Sequence, residues 1–168
     1  MEPIYIPQLL KAVEKTEAIQ LQEFIAGLET LTPIRGLMRV THQGNYLEVW
    51  VKAEAIMTLT CHRCLQQYNH RLVIKTSELI WLDEAANQLD DGPLEREVAL
   101  EDLLEMLPPK GYFNPSDWLY QQVSLAIPQR QLCDSKCPGI PLKSDFTELE
   151  SLADRRWATL EALKKQLP

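Results

Sequence analysis

Tyr46-Leu47-Glu48-Val49-Trp50-Val51-Lys52-Ala53-Glu54-Ala55-Ile56-Met57-Thr58-Leu59-Thr60-Cys61-His62-Arg63-Cys64-Leu65 decides how the chain is read. Branched and aromatic residues (Val49, Trp50, Val51, Ile56, Thr58, Thr60) fit a pleated surface, so Tyr46 to Thr60 predicts a long strand. It runs into a C-x2-C knuckle placed where a hairpin turn belongs. A second pair, Cys133 and Cys137, follows far down the chain, and these four are all its cysteines. Two spaced pairs with no lone thiol predict four sulfurs brought to one place. Four thiolates suit Zn²⁺, which favours tetrahedral soft-donor sites. The competing reading is four reduced thiols, two of them packed as small hydrophobes. A redox pair fits less well, because a reactive C-x-x-C wants a helix N-terminus and Cys61 follows a strand.

Outward from this stretch, Leu37, Arg39 and Thr41 alternate with Met38, Val40 and His42, the period-2 mark of a strand starting at Ile34. Gln43-Gly44-Asn45 is hairpin-turn chemistry. Ala53-Glu54-Ala55 predicts a break, read as a bulge. Tyr68 to Leu82 predicts a third strand anchored by Leu72, Ile74 and Leu79-Ile80-Trp81. Residues 34–82 thus predict an antiparallel meander with the first cysteine pair at one tip.

The flanks carry weaker signals. Pro7 suits the first turn of a short helix, Gln8 to Val13. Ala18 to Gln22 alternates as a short strand, and Phe24 to Leu31 is open between loop and helical turn. From Asp83 the chain turns acidic: nine carboxylates through Glu105 face one base, Arg96. Leu100 to Leu107 predicts a short helix stopped by Pro108-Pro109. Asn114 or Ser116 caps a helix over Trp118 to Ile127, with apolar residues at 119, 123, 126 and 127 and a stop at Pro128. Thr147 to Leu167 predicts a last helix. The expected architecture is α+β: a small antiparallel meander, barrel-like in its closure, with C-terminal helices that carry the second cysteine pair back to the first. Residues 1–33 form a segment packed on the sheet, 34–82 the sheet, 83–113 an acidic loop region and 114–168 the helical part, all in one compact unit.

The chain has 168 residues and a net charge of −7, which excludes a protein that coats nucleic acid over its whole surface. The charge is unevenly spread. Between Ile34 and Ser77, six bases (Arg35, Arg39, Lys52, Arg63, Arg71, Lys75) against Glu48 and Glu54 leave +4. With His62 and His70 they form a candidate RNA-phosphate patch, weighed against a plain solvated sheet face. Tyr46, Trp50 and Tyr68 are candidate stacking residues, though each also suits sheet packing. His42 carries no assignment as ligand or base. The phosphate-cradle motifs G-x-x-x-x-G-K-[ST] and G-x-G-x-x-G and the zinc-protease H-E-x-x-H are absent, which points away from an enzyme. Met1 to Ile6 lacks the basic and apolar regions of a signal peptide, and no run is long enough for a membrane span, so the cytosol or a plastid stroma is expected.

These pieces together resemble the YceD family, the large-ribosomal-RNA-subunit accumulation proteins of bacteria and plastids. Cys61-His62-Arg63-Cys64-Leu65 is similar to the family's C-x-R-C-L. Leu119 to Leu132 leads into Cys133-x3-Cys137-Pro138-Gly139-Ile140, similar to its helix, stop and C-x3-C-x-G-L. Asp154-Arg155-Arg156-Trp157-Ala158 resembles its closing D-P-R-W-A helix. Pro141 and Ser144 stand where many members carry further cysteines, so either the second knuckle has lost its metal or the two remaining pairs share one ion. The resemblance implies a non-catalytic role in accumulation of large-subunit (23S) ribosomal RNA and in large-subunit biogenesis. The partner would be precursor RNA or ribosomal proteins. Two other readings stay open: a protein–protein adaptor that uses the acidic segment without touching RNA, and a thiol redox protein.

Overall fold

A computed structural model describes residues 1–87 and 105–141. Its centre is a five-stranded sheet of β2 (Thr16–Glu23), β3 (Ile34–His42), β4 (Tyr46–Thr60), β5 (Gln67–Leu82) and β6 (Met106–Leu107), in that spatial order. The first four strands pair antiparallel, and β6 joins parallel to the end of β5, Trp81 opposite Met106. The predicted meander is therefore present, extended by β2 along one edge. The expected closure is not. β2 and β6 are the two edges and do not pair, so the sheet is open and mixed. Two-residue β6 is too short to carry the pairing around, and closure needs a continuous staggered ladder.

The alternation that marks the strands also sorts their faces. Val49, Val51, Ala53, Ala55, Met57 and Leu59 of β4 all point inward and are buried. Ala53-Glu54-Ala55 is not a bulge: Gly36, Ala53 and Ile74 stand opposite one another in unbroken register across β3, β4 and β5. The small residues answer a close approach of backbones. A Cβ on Gly36 would lie 2.5 Å from the Ala53 Cα and 2.8 Å from its Cβ, with the Lys52 carbonyl nearer still. At the other end of β3, Gly44 at φ +107° makes the hairpin turn to β4. His42 Nδ1 accepts a hydrogen bond from the Gly44 N–H at 3.0 Å, tying the buried imidazole to that turn.

The inner face is covered by α1 (Ile6–Leu9), by a ribbon of β1 (Ile4–Tyr5) with β7 (Tyr112–Phe113), and by α2 (Pro115–Ala126). Pro7 sits inside α1 as expected, but the helix is shorter than its pattern. Of the two expected caps it is Asn114 that caps α2, accepting from the Ser116 N–H at 3.1 Å, and with Pro115 at the first helical position the helix starts three residues before the expected Trp118. α2 buries Trp118, Leu119 and Val123 against the sheet. Trp118 Nε1 donates to Glu78 Oε2 at 2.6 Å and Gln122 Nε2 donates to the same oxygen at 3.0 Å, so the one carboxylate that β5 turns inward is satisfied. The predicted helix over Leu100 to Leu107 is not formed at its end, where Glu105 is outside any helix and Met106 and Leu107 are strand; its residues 100–104 lie outside the described ones, as does the helix expected over 147–167. Among the described residues the C-terminal part holds one helix, not several. No described helix is long and apolar enough to cross a membrane.

Candidate metal centre and basic sheet face

β4 delivers Cys61 at its end, and the chain turns back within six residues to start β5. Leu65 N–H closes the knuckle onto the Cys61 carbonyl at 2.9 Å, and Cys61 N–H donates to the Gln66 carbonyl at 2.9 Å. Closing so tight a loop puts Leu65 in the left-handed region, φ +60°, although its side chain is 64% exposed. That conformation is costly for a residue with a Cβ.

The second knuckle is built by turn chemistry. Cys137 N–H donates to the Asp134 carbonyl at 3.1 Å, and Lys136 N–H donates to Asp134 Oδ1 at 2.7 Å. The two knuckles are stitched to each other by groups other than sulfur. His62 N–H donates to the Gln131 carbonyl at 2.8 Å, and Gln131 N–H returns to His62 Nδ1 at 3.4 Å. Arg63 reaches across to donate to the Cys137 carbonyl at 3.2 Å.

The result gathers all four predicted cysteines, with every pair of sulfurs within 4.8 Å. Cys61 and Cys137 sulfurs lie 3.9 Å apart, Cys64 and Cys133 sulfurs 3.7 Å. A tetrahedron of thiolates at a Zn–S distance of about 2.3 Å has sulfurs about 3.8 Å apart, the spacing of those two pairs, and the other sulfurs lie within an ångström of it or closer. All four are free thiols. Their ionisation is uneven. Backbone N–H groups of Cys133 and then Cys64 pull the Cys61 thiol down to about 6. Hydrogen bonding with Cys137 and then Cys61, together with burial, pushes Cys133 up to about 12. The Gln66 N–H pulls on Cys64, but burial and the Cys61 and Cys137 thiols outweigh it and its thiol is raised. Four thiolates this close repel one another unless a cation sits among them, which is the chemistry of a divalent metal site. Four protein ligands would leave no open position for a reacting water, the arrangement of a structural site.

The candidate RNA residues are divided by the fold. Arg35 and Arg39 of β3, Lys52 of β4 and Arg71 and Lys75 of β5 all point to the outer face, away from the core. His70 points to the core side, its ring edge-on to Tyr68 at 6.3 Å. His62 and Arg63 lie in the knuckle, engaged with the second cysteine segment. Trp50 is on the outer face, with the Arg39 guanidinium 5.6 Å from its ring centre. Arg71 is ion-paired with Glu54. Three structurally important residues carried no sequence signal strong enough to single them out: Glu78, His42 and Gly36. Glu78 and Gly36 gain their roles from partners on other elements, and His42 from its burial and from the turn it closes.

A family model described as "Large ribosomal RNA subunit accumulation protein YceD" matches residues 49–164. No curated protein and no solved structure matches the chain. The match takes in β4, the first knuckle, β5, α2 and the second knuckle, so both halves of the four-cysteine centre fall within it: the chain belongs to the YceD family of large ribosomal RNA subunit accumulation proteins.

Proposed function

We propose that this chain is a non-catalytic factor for accumulation of large-subunit (23S) ribosomal RNA, acting in the cytosol or a plastid stroma. It would hold precursor RNA, or an early ribosomal protein on it, during assembly of the large subunit. The family match supports the process, and the meeting of the four sulfurs supports the mechanics. Zn²⁺ bound by Cys61, Cys64, Cys133 and Cys137 would fix the tail segment to the tip of the β4–β5 hairpin and hold a surface in one shape. The basic residues Arg35, Arg39, Lys52, Arg71 and Lys75, with His62, Arg63 and His70 nearby, are the proposed RNA contacts.

Depletion tests the function. With the protein removed, the ratio of mature large- to small-subunit ribosomal RNA should fall and precursor should change in abundance. An unchanged ratio under complete depletion overturns the proposal.

A further inference from the structure

We infer that the outer face of β3, β4 and β5 is a platform for a single-stranded segment of RNA, with bases against Trp50 and the groove beside it and phosphates on Lys52, Lys75 and Arg35. This rests on the reading of the chain as a factor for large-subunit RNA, and it adds which surface is used and which form of RNA it takes.

Charge is the first argument. The outward positions of β2 to β5 hold five cations, Arg35, Arg39, Lys52, Arg71 and Lys75, and two carboxylates, Glu48 and Glu54. Both carboxylates are engaged: Glu54 by Arg71, Glu48 by the Gln43 side-chain amide at 3.1 Å. Arg35, Lys52 and Lys75 have no ion-pair partner among the described residues. Lys52 and Lys75 stand directly opposite each other in the β4–β5 register. Like charges in that position destabilise a sheet. A phosphate between them turns the repulsion into attraction, which gives the pair a purpose that folding alone does not.

Shape is the second argument. Beside Lys52 lies an open groove of about 450 Å³ lined by Leu37, Trp50 and Val73, by the cations Arg35 and Lys52, and by Glu54, whose charge Arg71 offsets. An apolar floor with an indole at its side and cations at its edge suits an unstacked base joined to a phosphate. Duplex RNA offers no free base faces and is read through its grooves by shape. The Trp50 indole also carries Arg39, so a planar cation and a planar ring lie together where a base can stack on either.

Binding of a short fluorescein-labelled oligouridylate to the purified full chain, followed by anisotropy over a salt series, tests this. The single strand should bind far more tightly than a duplex RNA of equal length. Lys75→Glu should weaken binding tenfold or more, while the carboxylate it sets opposite Lys52 raises the melting temperature. Opposite signs separate a lost contact from a damaged fold. Lys52→Gln with Lys75→Gln should reduce the log–log salt slope by about 1.4, from about 0.7 per phosphate released. Trp50→Leu should weaken binding about tenfold and leave the slope unchanged. The inference is overturned if duplex binds as tightly as single strand, if Lys75→Glu binds as the parent does, or if polyglutamate competes as well as RNA, which marks a face for an acidic protein. Restoring depleted cells with Lys75→Glu tells this failure apart from failure of the broader function. Full rescue, where depletion does lower the RNA, removes the platform and leaves the function standing. Tight single-strand binding with no RNA loss on depletion does the reverse.

Discussion

The Cys61 and Cys137 sulfurs lie 3.9 Å apart although 76 positions separate the residues in the chain. The whole of β5 and of α2 lies in the loop they would close with a metal. Closure of so long a loop is worth having only if the closed form is stabilised by more than its entropy cost. The hydrogen bonds from His62 and Arg63 to Gln131 and Cys137 supply part of that, and a bound ion would supply more. Protein purified without added metal is expected to carry one zinc per chain. Cys137→Ser should lose it and melt at a lower temperature. Those few hydrogen bonds alone hold the 131–137 segment less firmly than the ion would, so chelation should expose it to protease while the circular dichroism of the sheet, which rests on its own ladder, persists. A zinc-free preparation with unchanged melting in Cys137→Ser would remove the metal from the account.

Gly36 is the tightest point of the sheet. With Ala53 Cα 2.5 Å from where its Cβ would be and the Lys52 carbonyl closer, neither neighbour is a flexible side-chain end. Gly36→Ala should destabilise the protein by about 1–3 kcal/mol, the usual range for overpacking. Urea unfolding measures this, and a midpoint equal to the parent's would show that the strands move apart freely.

The Glu78 carboxylate is held on the inner side of β5 by Trp118 and Gln122 of α2. Trp118→Phe keeps an aromatic ring in a buried position but removes the N–H. It should cost about 1 kcal/mol, the loss of one of the two hydrogen bonds to a half-buried carboxylate oxygen that Gln122 still serves. The same substitution in a Glu78→Gln background should cost measurably less, because the charge that needs the donor is gone. Equal costs in the two backgrounds would show that Trp118 acts by packing alone.

His42 gives the fold a pH dependence with a defined sign. Burial first, then the Lys15 charge, hold its imidazole below the ordinary 6.5. The Gly44 N–H at 3.0 Å also requires Nδ1 to be an unprotonated acceptor. The unfolded chain therefore takes up a proton that the folded one refuses. The His42 contribution is complete above pH 6.5 and is lost as pH falls through the folded value. Glu105, raised by burial and then by Glu78, works in the opposite sense as pH falls toward the ordinary 4.5. His42→Gln can still accept from Gly44 but does not titrate. Its melting temperature should fall less than the parent's between about pH 7 and pH 5.5. Parallel curves would show that His42 has no part in the acid sensitivity.

Leu65 holds a left-handed backbone with its side chain largely in solvent. Leu65→Gly should therefore stabilise the knuckle or leave it unchanged, because about 1 kcal/mol of conformational strain is relieved against little lost burial. Zinc affinity and melting temperature check this together. A clear loss in both would mean that the leucine side chain contacts something the sheet tip needs.

Local pattern was legible in the residues themselves. Period-2 alternation from Ile34 to Leu82 marks three strands, Gln43-Gly44-Asn45 marks their first turn, and the capping residues Asn114 and Ser116 mark the start of α2 to within a turn, because each rests on neighbours a few positions apart. The cysteine spacing marked the knuckles, and the order of motifs marked the family. What needed the tertiary structure was everything set by register between distant strands. His70 and Arg71 are adjacent in sequence and share a charge patch on paper, yet a strand sends them to opposite faces. Ala53 reads as part of an interruption in the sequence, and only the register that sets Gly36 opposite it explains the small side chain. The facing of Lys52 and Lys75, and the arrival of Cys133 and Cys137 beside Cys61 and Cys64, depend on how β4 and β5 align and where α2 packs. Such contacts arise from the summed burial of a whole core, and no short window of sequence contains that sum.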